Sequence, residues 1–301
     1  MGGTRFVGKS LVEKLLSQNN EIDIFTRGNR PNLKGTNLIK GDRNLKENFI
    51  NIKNKKYDYI FDISGRELDQ TKILIENIKQ DFKRYIYVSS AGVYKDLTEL
   101  PLTESDPVDK NSRHKGKFET ENWLIQKEIP FTSFRPTYIY GPNNYNKIEN
   151  WFFERLVNFK SIPIPVEGNL ITQLGHVSDL TDVMIKCINY DKAKNNIYNC
   201  TGDKGITIKG LILKCAEICN IKENQIKFKN FEYKNLDPKS RKSFPIRLTH
   251  YLISTAKIKN DIDWEPKFNL LDGLRNSFEN DFKLKINENI DFTSDDQLFK
   301  S

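Results

Sequence analysis

A glycine-rich segment near the start of the chain has the residue types of a phosphate-binding turn. The segment GGTRFVG (residues 2–8) follows a G-x-x-G-x-x-G pattern in which Arg5 takes the middle glycine position. Such a turn presents backbone N–H groups and a helix N-terminus to a phosphate. We predict cofactor contacts from five of its residues: Gly2, Thr4, Arg5, Phe6 and Gly8. The alternative is that the glycines serve only helix–strand packing in a fold that no longer binds nucleotide.

Two arginines follow the next predicted strand, at the place where a dinucleotide site contacts the ribose hydroxyls. Sites that prefer NAD carry a carboxylate at this place. Here the strand EIDIFTRG (21–28) runs into Arg27 and Arg30 instead. Guanidinium groups suit the 2′-phosphate of NADP. If a dinucleotide binds, we therefore expect NADP rather than NAD.

A short basic cluster lies in the segment SRHKGK (112–117). It contains Arg113, His114, Lys115 and Lys117. Closely spaced cationic side chains of this kind bind phosphate groups. The alternative is a solvated helix N-terminus without a ligand.

Strands that alternate with helices must position these residues. We predict strands within 21–28, 36–43, 57–64, 84–90 and 131–136, with helices after Gly8 and over 68–79 and 117–126. This alternation predicts an α/β fold with a doubly wound, Rossmann-like parallel sheet. Beyond residue 145 the pattern loosens. We expect a nucleotide-binding domain at 1–145 and a smaller α/β domain at 146–301, with a strand near 195–200 that returns to the main sheet.

The glycine turn is preceded only by Met1, so the first strand is apparently truncated. In a doubly wound sheet that strand lies in the middle, and its neighbours would lose ladder partners without it. We therefore expect a few apolar residues upstream of Met1 in the functional chain.

Composition and charge limit the function classes. The chain of 301 residues is 37% hydrophobic and 29% charged, and it lacks a long apolar run. We expect a cytoplasmic protein that neither spans a membrane nor is secreted. The net charge of +8 favours polyanionic partners such as nucleic acid. In the basic segment 222–247, interleaved aromatic residues could stack bases or could belong to a small core.

Several motifs resemble the extended short-chain dehydrogenase/reductase superfamily. They are GGTRFVG, VSSAGVY (88–94), RPTYIYGP (135–142), GHVSDL (175–180) and DWEPKFNLLDGL (263–274). More narrowly, SSAGVY, SRHKGKFETE, YGPNNYN, WFFERL and the ending DFTSDDQLFKS are similar to the chloroplast stem-loop binding proteins and their cyanobacterial relatives. This resemblance implies a dehydrogenase fold, RNA binding and a metal-dependent endoribonuclease activity.

The superfamily resemblance also implies roles for individual residues. Ser90 corresponds to the serine that polarises the substrate oxygen, Lys117 to the active-site lysine, and Asp42 to a residue near the adenine. The catalytic tyrosine stands four residues before the lysine, and here that residue is Arg113. A guanidinium stays protonated and cannot accept a proton as a tyrosinate does. We therefore expect no ordinary hydride-transfer catalysis.

Together the residues and the resemblance predict an RNA-binding protein on a dehydrogenase fold. Arg113, His114 and Lys115 are the expected RNA contacts, and His114 is a candidate general acid or base for RNA cleavage. A nuclease would use Mg²⁺, but the sequence indicates no metal ligands. The partners would be stem-loop RNA and a ribonucleoprotein or ribosome-associated assembly, with a homo-oligomer also open. The alternative is an NAD(P)-dependent nucleotide-sugar epimerase or dehydratase.

Overall fold

The computed structural model describes residues 1–286 and 290–299, which form two units. Unit 1 comprises Met1–Thr137, Val177–Thr201 and Ile253–Glu265. Unit 2 comprises Tyr138–His176, Gly202–Leu252 and the described residues from Pro266 onward. The first division thus falls after residue 137, where the sequence predicted 145, and two later segments belong with the N-terminal unit.

Unit 1 contains eight strands and helices from the first 137 residues, together with three elements from later in the chain. Its strands are β1 (Asp23–Thr26), β2 (Asn37–Lys40), β3 (Tyr59–Asp62), β4 (Arg84–Val88), β5 (Phe131–Pro136) and β10 (Asn196–Cys200). Its helices are α1 (Val7–Ser17), α2 (Leu68–Glu76), α3 (Lys115–Gln126), α5 (Val177–Lys186) and α7 (Ala256–Ile262).

The strands of unit 1 pair in parallel. Four of them are ordered β10-β5-β4-β3, and β1 pairs with β2. Every residue of β4 and β5 is buried, which is typical of strands covered on both faces of a parallel sheet. Helix α1 packs against α5, and α2 against α3. The predicted α/β class with a parallel sheet is confirmed.

Met1 and Gly2 lie between β1 and β3. The Gly2 N–H donates to the Phe25 carbonyl at 3.2 Å, and the Ile63 N–H donates to the Met1 carbonyl at 3.3 Å. These two residues therefore occupy the place of the central strand and lead straight into the glycine turn. The carboxyl ends of β1, β2, β3 and β4 meet at the edge where that turn lies, which is the ligand edge of an open α/β sheet.

Unit 2 has short paired strands packed with three helices. Its strands are β6 (Tyr138–Tyr140), β7 (Ile162–Pro165), β8 (Ile171–Thr172), β9 (Leu174–His176), β11 (Ile206–Thr207) and β12 (Phe228–Phe231). Its helices are α4 (Glu149–Val157), α6 (Ile208–Ile218) and α8 (Leu270–Asn280). Leucine, isoleucine and aromatic residues form the core, and the aromatic ones include Trp151, Phe152, Phe153, Phe231 and Phe244. No helix in the described residues is long and apolar enough to cross a membrane.

Candidate functional site

The glycine turn is closely packed against the end of β3. Gly2 has a φ of +85°, and a Cβ on Gly2 would lie 3.0 Å from Ile63 Cγ1. A Cβ on Gly8 would lie 2.4 Å from Ile63 Cδ1 and 2.7 Å from Gly3 Cα. Only glycine fits at these positions without displacing neighbours. The turn and the following helix therefore retain the glycine cradle of a dinucleotide site, which fits a nicotinamide dinucleotide.

The side chain of Arg5 does not fill this cradle. Arg5 is exposed, and Thr4 and Gly2 are half-buried beside it. The turn also contains a residue with a strained backbone. This residue is Phe6, which is buried and has a φ of 44° immediately before α1. Arg5 is therefore placed at the solvent edge, where a guanidinium can approach a phosphate.

The residues predicted to read the ribose lie where β1 and β2 end. Arg27 and Arg30 are both exposed after β1. Asp42, after β2, accepts hydrogen bonds from the backbone and side-chain amides of Asn44 at 2.9 and 2.7 Å. The backbone bond from Asn44 lowers the pKa of Asp42, and the charge of Arg27 lowers it further. Asp42 is thus a charged residue at this edge, whereas a carboxylate directly after β1 is missing.

Ser90 and His114 come together around Gly92. The Ser90 hydroxyl accepts a hydrogen bond from the Gly92 N–H at 3.0 Å. A Cβ on Gly92 would lie 2.8 Å from His114 Nε2 and 3.1 Å from Ser90 Oγ. Ser112 fixes this approach, because its hydroxyl donates to the Gly92 carbonyl at 2.7 Å and accepts from the His114 N–H at 3.1 Å. A glycine is therefore needed at 92 to admit the imidazole.

Arg113 faces solvent and contacts the same imidazole. Its Nε donates to His114 Nε2 at 3.1 Å. In this arrangement Nε2 serves as a hydrogen-bond acceptor. His114 would have to exchange this bond before Nε2 could take a proton from a bound ligand.

Lys117 turns inward from the basic cluster. Its Nζ donates to the carbonyls of Val88 and Gly65, at 2.6 and 2.9 Å, and lies 5.2 Å from the centroid of the Tyr87 ring. Burial lowers the pKa of Lys117 to about 8. Lys117 is therefore positioned between the ends of β3 and β4, while Arg113 and Lys115 are exposed.

The exposed cations lie at the N-terminus of α3. The helix begins at Lys115 rather than at the predicted residue 117, and its first turn contains no acidic residue. The positive end of the helix dipole adds to the side-chain charges. A Cβ on Gly116 would lie 2.5 Å from the Arg66 carbonyl and from Glu67 Oε2, so α3 begins directly against the start of α2.

Sequence reasoning missed a buried ion pair beside this site. Arg43 donates to both carboxylate oxygens of Asp62 at 2.7 Å, and its Nη1 also donates to Ser64 Oγ at 2.8 Å. Asp62 is fully buried and also accepts from the Tyr85 hydroxyl at 2.5 Å. Burial alone would raise the pKa of Asp62, but the Arg43 guanidinium outweighs burial and holds it well below its usual range. The only signal in the sequence is a charged residue inside an apolar strand.

The aromatic residues of the basic segment 222–247 are not a base-stacking surface. Phe231 and Phe244 are buried, and Phe228 and Tyr233 pack against the same core. The lysines around them are exposed. Of the two interpretations of this segment, the structure therefore supports solvated lysines over a small core.

One further histidine and two cysteines belong to unit 2. His250 is exposed outside any helix, and the Ile171 N–H donates to its Nδ1 at 3.1 Å. Cys215 is buried on α6, and Cys219 follows it one turn later. Among residues 1–286 and 290–299, no three His, Cys, Asp or Glu side chains are grouped as metal ligands.

Comparisons with known proteins agree with this geometry. Residues 1–201 match the model of the NAD dependent epimerase/dehydratase family. The chain is 38% identical to the chloroplast stem-loop binding protein of 41 kDa b of Arabidopsis thaliana, over 99% of this chain and 82% of that protein. Its fold is similar to a UDP-glucose 4-epimerase of Thermotoga maritima bound to UDP-glucose, with a TM-score of 0.79, 19% identity and coverage of 95% and 98%. A Thermus thermophilus UDP-glucose 4-epimerase complexed with NAD gives a TM-score of 0.75, 16% identity and coverage of 93% and 96%.

Proposed function

The chain belongs to the NAD dependent epimerase/dehydratase family, and from this premise we propose that it binds structured RNA through the basic N-terminus of α3. The observation that carries the proposal is the arrangement of Arg113, His114 and Lys115. These side chains surround a helix N-terminus without a first-turn carboxylate, at the ligand edge of the sheet. The name of the Arabidopsis relative supports a stem-loop as the RNA ligand.

Phosphate contacts give this binding its main energy. Arg113 and Lys115 are exposed and can approach a phosphate directly, while Lys117 contributes charge from its fixed place behind them. The RNA backbone supplies repeated phosphates, so binding depends on shape and charge more than on base sequence. A stem-loop presents such phosphates in a fixed geometry.

The direct test compares two charge-matched variants. The triple variant Arg113→Ala/His114→Ala/Lys115→Ala should bind a labelled hairpin RNA at least tenfold more weakly, because each charge-assisted phosphate contact is worth about 1.5–3 kcal/mol. The control Lys53→Ala/Lys56→Ala removes two exposed lysines elsewhere in unit 1 and should change affinity about twofold or less. Equal affinity in the triple variant and the native chain would show that the cluster is not the RNA site.

RNA cleavage is the finer form of this proposal. His114 and Ser90 face each other across Gly92, and His114 is the group that could move a proton at a phosphodiester. Incubation of hairpin RNA with and without Mg²⁺ tests cleavage, and His114→Gln should abolish cleavage while retaining most of the binding. Binding without cleavage under both conditions would leave a protein that protects RNA rather than cutting it.

A nicotinamide dinucleotide would be held by the glycine turn and the arginines beyond β1. When bound, it would supply a hydride carrier at the ends of β3 and β4. Arg27 and Arg30 would hold a 2′-phosphate, so NADP should bind more tightly than NAD by calorimetry. The double variant Arg27→Ala/Arg30→Ala should reduce NADP affinity about tenfold and leave NAD affinity nearly unchanged. Equal affinity of the native chain for the two dinucleotides would remove the preference.

The second candidate is a nucleotide-sugar epimerase or dehydratase, which the names of the solved structures favour. Arg113 opposes it, since the site otherwise offers Ser90 and Lys117 but no tyrosine four residues before the lysine. We expect no turnover of UDP-glucose with NAD or NADP. Steady formation of UDP-galactose would overturn this expectation and favour the enzyme.

Assembly and location complete the proposal. We propose a ribonucleoprotein or ribosome-associated complex, with self-association as a further option, and test both by sedimentation of cell extracts before and after ribonuclease treatment. We keep the cytoplasm as the proposed compartment. The name of the Arabidopsis relative places that relative in the chloroplast, and imaging of a fluorescent fusion distinguishes the two locations.

A further inference from the structure

The glycine turn and the basic cluster are joined by three consecutive residues, 63–65. Ile63 is the side chain that the glycines at 2 and 8 pack against, and its N–H donates to the Met1 carbonyl. Two residues later, the Gly65 carbonyl accepts the hydrogen bond from Lys117 at 2.9 Å. Three residues of extended chain span about 10 Å, so the two predicted sites are neighbours on one backbone segment.

This segment is held in a fixed conformation by Asp62. The Oδ1 of Asp62 accepts from the N–H groups of Gly65 and Ser64, at 2.9 and 3.2 Å. Arg43 bonds to the same carboxylate and to the Ser64 hydroxyl, at 2.7 and 2.8 Å. These bonds leave the segment no second position with the same partners. These bonds therefore fix the segment that connects the glycine turn to the Lys117 acceptor.

Both ligands are polyanions, and the cations near the segment would serve either of them. Arg5 belongs to the glycine turn and Arg27 follows β1, whereas Arg113 and Lys115 lie at the start of α3, and all four are exposed. An RNA backbone and a dinucleotide placed within one Debye length, about 8–10 Å, repel each other, because their charges are only partly screened at that distance. Backbone contact at 63–65 by one of them also removes the space for the other.

We propose that nicotinamide dinucleotide and RNA exclude each other at residues 63–65, so that the level of the dinucleotide regulates RNA binding. This inference rests on the proposed RNA function. It assigns the glycine turn a role in a protein whose Arg113 opposes hydride-transfer catalysis: the turn senses a nucleotide and does not use it for turnover.

The test is a competition measured by fluorescence anisotropy of a labelled hairpin RNA on the full chain. NADP at nine times its own Kd, itself measured by calorimetry without RNA, should raise the apparent RNA Kd about tenfold, and the increase should continue in proportion to the NADP concentration. KCl added to the same ionic strength is the control for screening. A plateau at a limiting affinity, or no change, would overturn the exclusion.

A variant separates the competition from general loss of charge. In Arg27→Ala/Arg30→Ala, the NADP concentration that halves RNA binding should rise by the same factor as the calorimetric Kd for NADP. A chain that binds RNA in buffer but binds neither NADP nor NAD would overturn the inference and leave the RNA function standing. A chain that fails to bind RNA in buffer would overturn both.

Discussion

Arg113 is the residue that decides between the two functional classes. It occupies the position where a reductase needs a tyrosine, and its guanidinium is exposed with Nε bonded to His114. A permanently charged donor can bind a phosphate but cannot relay a proton. The arginine at this position is therefore the reason why we propose recognition of an anion rather than catalysis at a sugar.

Lys117 predicts a pH dependence of RNA binding. Burial lowers its pKa to about 8, the charges of Asp62 and Glu121 oppose that shift, and those of Arg43 and Arg66 add to it. The side chain is therefore charged at neutral pH and loses its proton as the pH rises through 8. A neutral amine still has two N–H groups for its two carbonyl acceptors, so the charge disappears without displacement of the side chain.

The RNA affinity of the native chain should accordingly fall roughly two- to fivefold between about pH 7 and 8.5. This is the change expected when a binding site loses one partly screened positive charge. Anisotropy titrations at the two pH values measure the change. Lys117→Met should bind more weakly at neutral pH and show no such fall. Parallel pH profiles for the native chain and the variant would contradict the role of this lysine.

Residue types were easier to predict from the sequence than residue pairs. Ser90, His114 and the glycine turn were recognisable because each lies in a short motif whose chemistry is local. The Arg43–Asp62 pair was not, since Arg43 follows β2 while Asp62 ends β3. The chain has 48 lysines and arginines that could face any of 40 acidic residues. Only the parallel order of β2, β1 and β3 brings these two residues to one edge.

At the scale of elements, the segment after β3 is the structural centre of the site. It contacts the glycine turn through Ile63 and α3 through Gly65, and Asp62 fixes its conformation. The pattern of apolar runs predicted the strands correctly, because β4 and β5 are buried along their whole length. The start of α3 differed by two residues, because glycine and lysine in its first turn give no apolar periodicity.

Removal of Arg43 should destabilise unit 1 strongly. Arg43→Ala leaves the carboxylate of Asp62 buried without its partner, which costs about 3–5 kcal/mol and lowers Tm by roughly 10 °C. Arg66→Ala, an exposed arginine two residues after Ser64, should change the free energy of unfolding by about 0.5 kcal/mol or less. Calorimetric melting of both variants checks the contrast, and similar Tm values for the two would contradict it.

The same pair predicts the direction of acid denaturation. The pKa of Asp62 is held below its ordinary value of 3.8, so the pair contributes stability above that value and loses it as the pH falls below it. The difference in unfolding free energy between the native chain and Arg43→Ala should therefore shrink below about pH 4. Urea unfolding at neutral pH and at about pH 3 measures both differences, and a gap that widens in acid would contradict the assignment.

At the scale of the whole molecule, net charge predicts a class of partner but not where that partner binds. The value of +8 fits a polyanion, yet the basic segment 222–247 surrounds a core instead of a stacking surface. The sequence predicted that a strand near 195–200 returns to the main sheet, and β10 (Asn196–Cys200) pairs with β5 there. The return of α5 and α7 to unit 1 was not predicted. The place of a helix depends on which sheet face remains uncovered, and periodicity along the chain carries no information on that.

The salt dependence of RNA binding tests the central claim most directly. The logarithm of the RNA association constant is measured against the logarithm of KCl concentration, for the native chain and for Arg113→Ala/His114→Ala/Lys115→Ala. If Arg113 and Lys115 each neutralise one phosphate, the slope of the variant should be smaller in magnitude by about 1.4–1.8. Lys53→Ala/Lys56→Ala should keep the native slope. An unchanged slope and affinity in the triple variant would contradict phosphate recognition at the N-terminus of α3.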